Sequence, residues 1–468
     1  MGQANERADF LVEQRSIEFI PHELRHGKPS DLMFVWFGAN MELPVVAAGA
    51  TTVASGLSLG WAVLGILIGV LLGTLLMASH SAQGPHLGMP QMIQSRAQFG
   101  YYGAAVPLIF VVLMYLGFYA AGVVLGAQAL YELAKVPVTA GIVILSLAST
   151  VVAVFGYNLI HRFERYLSYL VAAVFLVLTV LLVTRHHPGE ITPVSTGFAL
   201  GPFLLAVSVP AISQLGFAPY VADYARYLPA STPISSVFWY TYAGVGVSGA
   251  WLMILGAALQ QRFLGGPVAA IGTVAHGAGG TFAAITFVAL ILGVLSINAL
   301  NIYGGYMSTM TLATTFYRRW RGGLAVRLAF ILPVAAVATY LGFLYRDNLL
   351  GSFETFLVIV MALMSPWTAV NLVDYYVVRR GEYAVDAMYR PDGVYGRVNP
   401  AGMAAYLIGF AVQLPFMHNA YVHGPVARAL DGGDVSWVVG AVVSGLLYHR
   451  LARVRSSADR PPRTARVS

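Results

Sequence analysis

The sequence predicts an all-α polytopic membrane protein of about 12 transmembrane helices, and three observations carry that prediction. Hydrophobic residues fill 58% of the 468 positions and charged residues only 10%, where an average soluble protein carries roughly 25% charge. Apolar runs long enough to cross a ~30 Å hydrocarbon layer, about 20 residues of helix each, recur along the whole chain. Glycine is abundant, at 49 residues, as suits membrane helices better than soluble ones. A soluble fold of this size needs a charged shell, and the chain lacks the residues to build one.

Twelve runs stand out, centred near residues 45, 69, 117, 147, 174, 213, 248, 291, 334, 364, 410 and 442. A β-barrel would instead show alternating segments of ~10 residues. With both termini placed in the cytoplasm, all 27 Lys and Arg residues except Lys135, Arg185, Arg262, Arg346 and Arg428 fall on the cytoplasmic side. That asymmetry is the positive-inside pattern, and it explains the net charge of +7 without a nucleic-acid partner. The expected organisation is a cytoplasmic N-terminal segment (1–30), a transmembrane domain (31–452) and a basic cytoplasmic tail (453–468), in the cytoplasmic (inner) cell membrane. Residues 1–30 have no apolar core, so no cleavable leader is expected and the first membrane helix serves as the insertion signal. Cysteine is absent, which removes disulfides, thiolate metal sites and cysteine nucleophiles. The semi-polar stretch 80–103 is expected as a cytoplasmic linker with a short helix on the membrane surface, and His80 and His86 as loop residues.

The informative signal is where helices should break. The first run places Gly38, Asn40, Glu42 and Pro44 at mid-span, and the sixth places Pro210, Ser213, Gln214, Gly216 and Pro219 there. Proline removes a backbone donor and crowds the preceding turn, so both helices should unwind. Unwound backbone survives in a membrane only where protein buries it or it lines a cavity. A matched pair of interrupted helices, each opening a five-helix half, points to the central site of a secondary transporter.

Several residues could serve such a site. Glu42 is the carboxylate placed nearest the bilayer centre, where charge costs at least ~2.5 kcal/mol; it would accept hydrogen bonds from substrate N–H groups or carry a coupled proton. Asn298 and Asn301, spaced i, i+3 on one helix face, present donor and acceptor together, as recognition of a heterocycle's edge requires; Asn298 fits interhelical hydrogen bonding equally well. Asp223 and Arg226 stand i, i+3 at the inner end of the sixth helix, as a structural ion pair or part of a gate. No Gly-rich phosphate loop, His-Glu-x-x-His or Gly-x-Ser-x-Gly motif is present, so neither an enzyme nor an ATP-driven pump is expected, and no cofactor.

Three stretches carry a family resemblance: Gly84-Pro85-His86-Leu87-Gly88-Met89-Pro90 running on to Ser95-Arg96-Ala97-Gln98-Phe99-Gly100; Gly216-Phe217-Ala218-Pro219-Tyr220-Val221-Ala222-Asp223-Tyr224-Ala225-Arg226-Tyr227; and Asn301-Ile302-Tyr303. Asp374-Tyr375-Tyr376 with Arg379-Arg380-Gly381 adds to them. The chain resembles the nucleobase–cation symporter family, in its purine–cytosine permease branch, over about residues 15 to 450. The resemblance implies a leucine-transporter-like inverted repeat of five plus five helices with two more at the C-terminus, acting as a monomer around a site between helices 1, 3, 6 and 8. It implies that Phe118 and Phe217, beside Gly216, sandwich a flat ring while Asn301 reads its edge. Relatives often carry Trp at both aromatic positions, and Gln or Asn where this chain has Gly122, so a roomier, less polar pocket is expected there. Sodium-coupled relatives hold the cation with helix 1 carbonyls and two helix 8 hydroxyls; the matching positions are Gly38, Met41 and Ser296, with only one hydroxyl. Proton coupling through Glu42 is therefore favoured over Na⁺. The expected activity is import of a nucleobase or similar planar heterocycle, with allantoin, hydantoins or a pyridoxine-like vitamin as alternatives, and a channel or membrane enzyme as the readings from other classes.

Overall fold

A computed structural model describes residues 18–155, 157–186, 189–191, 197–317 and 324–458. The basic cluster at 318–321, the side chains of Arg162 and Arg165, and the tail after 458 lie outside the described residues. In chain order the main helices are α1 (Pro29–Ala39), α2 (Leu43–Ala54), α3 (Leu59–Ser81), α4 (Gln91–Phe99), α5 (Ala105–Ala134), α6 (Val138–Phe155), α7 (Tyr157–Thr184), α8 (Leu200–Leu215), α9 (Ala218–Ala225), α10 (Ile234–Arg262), α11 (Pro267–Gly277), α12 (Gly280–Phe316), α13 (Leu324–Tyr345), α14 (Leu349–Val373), α15 (Pro400–Ala411) and α16 (Ser436–Ala458). Every one of the twelve expected runs is helical. Among the described residues eight spans are long and apolar enough to cross a membrane, and α1 with α2 makes a ninth. Helix α11, a short segment before α12, was not among the expected runs.

The two expected breaks are present but unequal. α1 and α2 meet at 63°, because Glu42 takes an extended conformation (φ −146°, ψ 154°) as the N-cap of α2. α8 and α9 are separated only by Gly216 and Phe217, both near-helical in φ and ψ, and run as one span from Leu200 to Ala225. Pro44 and Pro219 each occupy the second position of the following half-helix, where a missing N–H costs nothing. The prolines therefore start the second halves as much as they end the first.

Packing sorts the helices into two groups. α10 lies against α1, α2 and α3, and α3 along α8; α12 lies along α5 and reaches α6 and α7, while α13 packs on α5 and α6. α14 touches both groups and carries α16, which in turn packs on α15. The α3–α8 contact depends on a stripe of Gly65, Gly69 and Gly73. A β-carbon at these positions would meet Ala206, Val207 and Ala211 of α8 respectively. Small residues four apart let two backbones approach in lipid, where no hydrophobic force draws helices together.

The segment after α3 departs from expectation. α4 is buried almost throughout, with Gln91, Gln94, Ser95 and Gln98 at 1% exposure or less, so it packs under the bundle and does not lie on a membrane surface. Its polar side chains find partners there: Ser95 Oγ accepts from Trp367 Nε1 at 2.9 Å, and Gln98 Nε2 donates to Asp374 at 2.8 Å. Asp374 also accepts from Tyr383 at 2.8 Å, Tyr448 at 2.7 Å and Arg379 at 3.1 Å, joining α4, the loop after α14, and α16 through one buried carboxylate. His80 is likewise no loop residue: it ends α3, fully buried, with its ring stacked on Trp367 at 4.7 Å. His86 is tied to Tyr375 at 3.0 Å.

Replacing Gly69 with Val should disrupt the α3–α8 contact, since overpacking costs ~1–3 kcal/mol even where neighbours can move and here the obstacle is backbone. Gly60→Val, with nothing within 4 Å of the added carbon, is the control. Size-exclusion of detergent-solubilised protein should show Gly69→Val aggregated or lost and Gly60→Val monodisperse.

Candidate functional site

The site is built on the two helix breaks. At the first, Asn40 ends α1 and turns its amide inward, fully buried. Its Nδ2 donates to Gln214 Oε1 at 3.2 Å, Val245 O at 2.9 Å and Ser248 Oγ at 3.0 Å. Gln214 stands next to the second break, on α8, and Val245 and Ser248 belong to α10. One buried amide thus joins both interruptions to a third helix. Gly249 makes the room: a β-carbon there would run into the Gln214 and Asn40 amides. Both residues stand in the sequence stretches that mark the breaks, each four or five positions before the restarting proline, yet their pairing was not foreseen because a contact across 174 residues leaves no local pattern.

Below this joint a cavity of about 1170 Å³ opens toward the end of the bundle that carries the N-terminal segment. Its walls are aromatic, with Trp36, Phe37, Tyr115, Phe217, Tyr220 and Tyr224 among them. Trp36 of α1 makes edge contacts to Phe217 at 5.6 Å and Tyr224 at 5.2 Å, and Tyr115 stacks on Tyr220 at 5.6 Å. Trp36 and Tyr220 were not foreseen as site residues, since aromatics are too frequent here for one ring to stand out in sequence.

At the blind end lies a separate pocket of only about 20 Å³, lined by Glu42, Pro44, Val45, Phe118, Ser213, Gly216, Phe217, Tyr220, Ile297 and Asn301. It shares Phe217, Tyr220, Ile297 and Asn301 with the large cavity. Five of the six expected substrate residues therefore converge on one spot between helices. That volume holds about one water molecule. Phe118 leans on Gly216, where a β-carbon would stand 3.1 Å from its ring, and packs edge-on to Phe356 at 5.3 Å.

Asn298 is the exception. It is fully buried, donates to Tyr119 O at 3.4 Å on α5, and lines neither cavity. Its side-chain oxygen occupies the space that Gly122 leaves open, 2.6 Å from where a β-carbon would sit. The glycine thus admits a neighbouring amide and does not widen a substrate pocket, and Asn298 ties α12 to α5.

The expected cation residues are dispersed. Gly38 lines the large cavity beside Ser168 of α7, and its carbonyl accepts the Met41 N–H at 2.9 Å. Met41 is buried in the core, and Ser296 is half-buried on α12; neither lines the two cavities. Asp223 and Arg226 both line the large cavity. Arg226 donates to the Asp223 carbonyl at 3.3 Å and the Glu18 carbonyl at 3.2 Å. The Asp223 carboxylate accepts the Gln91 N–H at 2.7 Å, at the N-terminus of α4, where a negative charge is favoured.

The family model for permeases of cytosine/purines, uracil, thiamine and allantoin matches residues 19–440. YxlA of Bacillus subtilis strain 168, provisionally named a purine-cytosine permease, is 43% identical over 95% of this chain and 96% of its own. The purine-cytosine permease fcyB of Emericella nidulans is 28% identical over 94% of this chain and 88% of its own. Among solved structures, the inward-facing conformation of Mhp1 aligns with a TM-score of 0.76 at 19% identity, covering 96% of this chain and 95% of that one. Mhp1 closed around bromovinylhydantoin, described as a nucleobase-cation-symport-1 family transporter, aligns with 0.72 at the same identity, over 96% of each chain. The two structural likenesses show that this chain shares the fold of Mhp1.

The amide joint is open to direct test. Asn40→Ala leaves acceptors on Gln214 and Ser248 buried without their donor, at a cost of ~1–3 kcal/mol. Asn40→Ala and Gln214→Ala should each lower the thermal unfolding midpoint, and the double variant should fall short of their sum, as expected for residues in contact.

Proposed function

This chain belongs to the family of permeases for cytosine/purines, uracil, thiamine and allantoin, and from that premise we propose that it is a symporter importing a nucleobase, purine or cytosine, across the cytoplasmic membrane. The observation that carries the reading is the large cavity ending blindly where Glu42, Phe118, Phe217 and Asn301 meet between the two breaks. With the N-terminal segment in the cytoplasm, as the basic residues require, that cavity is the cytoplasmic exit path, and both termini are cytoplasmic.

In this state the binding spot is closed down to roughly the size of one water. A flat ring needs Phe118 to swing off Gly216 and α9 to shift with Phe217. Two aromatic faces then hold the ring, each stack contributing ~1–3 kcal/mol. Asn301 offers donor and acceptor to one edge of the ring, and Glu42 accepts from ring or exocyclic N–H groups on another. Binding thus demands movement of both breaks, and the Asn40–Gln214 contact makes them move together.

Glu42 is also the residue suited to carry the coupled ion. A carboxylate that changes partners as the site opens and closes can take up a proton on one side and release it on the other. Na⁺ coupling needs oxygens converging on one spot, whereas Gly38 lines the large cavity and Met41 and Ser296 line neither cavity.

Uptake of radiolabelled adenine and cytosine into proteoliposomes tests the reading. Uptake should collapse with a protonophore and persist when choline replaces sodium. Glu42→Gln should still exchange labelled substrate across the membrane but fail to accumulate it against a gradient. Wild-type accumulation by the variant, or strict sodium dependence at constant pH, would remove Glu42 from the coupling role.

A further inference from the structure

The loop joining α15 to α16 lies at the end of the bundle opposite the cavity mouth, and it holds a pair of histidines in a prebuilt hairpin. His418 and His423 face each other across an antiparallel bridge. The flanking hydrogen bonds run from Gly424 N to Met417 O and from Asn419 N to Val422 O, each 2.9 Å. This arrangement makes 418 and 423 a non-hydrogen-bonded pair, the kind in which side chains stand closest. The turn is locked from within, since Asn419 Oδ1 accepts from Tyr421 N at 2.9 Å and Val422 N at 3.0 Å.

Each histidine is also held from outside the hairpin. His418 N donates to the buried Asp434 carboxylate at 2.8 Å, and Asp434 is itself fixed by Ser436 at 2.6 Å. Gly432, at φ +79°, lies against the His418 ring. The His423 carbonyl accepts from Arg428 Nε at 3.0 Å. His423 is exposed and His418 half-buried, so the pair is open to solution.

The two Nδ1 atoms stand 3.4 Å apart, with ring centroids at 4.9 Å and planes at 56°. Hydrogen bonds from N–H to oxygen run about 2.7–3.2 Å, and 3.4 Å between the two ring nitrogens is longer than that range. It matches the edge between two imidazole ligands on tetrahedral zinc, about 3.3–3.4 Å for Zn–N bonds of ~2.0–2.1 Å. We propose that His418 and His423 form a bidentate seat for a borderline transition-metal dication such as Zn²⁺ on this face. Imidazole suits such ions. Water fills the remaining positions, because no group of three or more His, Cys, Asp or Glu side chains among the described residues could hold a metal ion. With two protein ligands the ion is exchangeable and is not needed for folding.

Calorimetric titration of the purified full-length protein with ZnCl₂, above the imidazole pKa of ~6.5, tests this. One saturable equivalent per chain is expected. Either His418→Ala or His423→Ala should weaken it about tenfold or more, given that even outer-shell partners are worth that much. EPR of the wild type loaded with Cu²⁺ should show coupling to two imidazole nitrogens, a readout independent of how well the variants fold. Absence of saturable zinc binding, binding unchanged in both variants, or a copper spectrum without imidazole coupling would each overturn the proposal. Uptake measured without added metal should be unchanged in His423→Ala, since the hairpin takes no part in the cavity.

Discussion

The contact on which the rest of the molecule depends is the buried amide of Asn40 against Gln214, Val245 and Ser248. Interrupting a helix inside a membrane frees backbone donors and acceptors that no water can satisfy, at several kcal/mol each. The fold accepts two interruptions because they are stacked beside each other and share side-chain partners. Below the joint α1 and α9 stay in contact through Trp36, which packs on Phe217 and Tyr224. The joint also fixes α10, which must approach so closely that Gly249 is required at the contact.

Around this joint the helices divide into a set that carries the breaks and a set that frames them. The break-carrying helices α1, α2, α3, α8, α9 and α10 are drawn together by glycine contacts; α5, α6, α12 and α13 pack among themselves, with Asn298 in the space beside Gly122. The residues proposed to bind substrate come from both sets: Glu42 and Phe217 from one, Phe118 and Asn301 from the other. A site divided in this way changes shape whenever the sets shift relative to each other. The smaller pocket is accordingly almost closed here while the larger cavity stands open beneath it. Outside both sets, the Asp374 carboxylate takes donors from α4, from α16 and from the loop after α14 and so ties those three together.

Much of this was legible in the sequence, for reasons that differ by element. The helices could be read because crossing a membrane imposes a length and a composition on each one. The breaks could be read because proline, glycine and polar residues at mid-span have few other uses. Glu42 stood out at a break, Asn301 in a motif, Gly216 and Phe217 in both, and Phe118 only through the family resemblance; the structure brings the five to one pocket. What sequence could not show was direction. Asn298 and Asn301 share a helix face by spacing, yet one turns to α5 and the other to the pocket. The polarity of Gln91–Phe99 suggested a wet surface, whereas its side chains bond to α14 and to the neighbouring loops from beneath the bundle. His80 looked like a loop residue because its partner, Trp367, lies 287 positions away in the chain.

The natural absence of cysteine allows the central claim, a cytoplasmic vestibule ending at a closed binding spot between linked breaks, to be measured directly. A single Met307→Cys, on the cavity wall, would be labelled with a membrane-impermeant maleimide in sealed vesicles of each orientation. Rapid labelling in inside-out vesicles, slow labelling in right-side-out ones, and slowing of the former by a transported nucleobase is the predicted result. Labelling from the external side alone, or a rate indifferent to every nucleobase that the protein takes up, would contradict it.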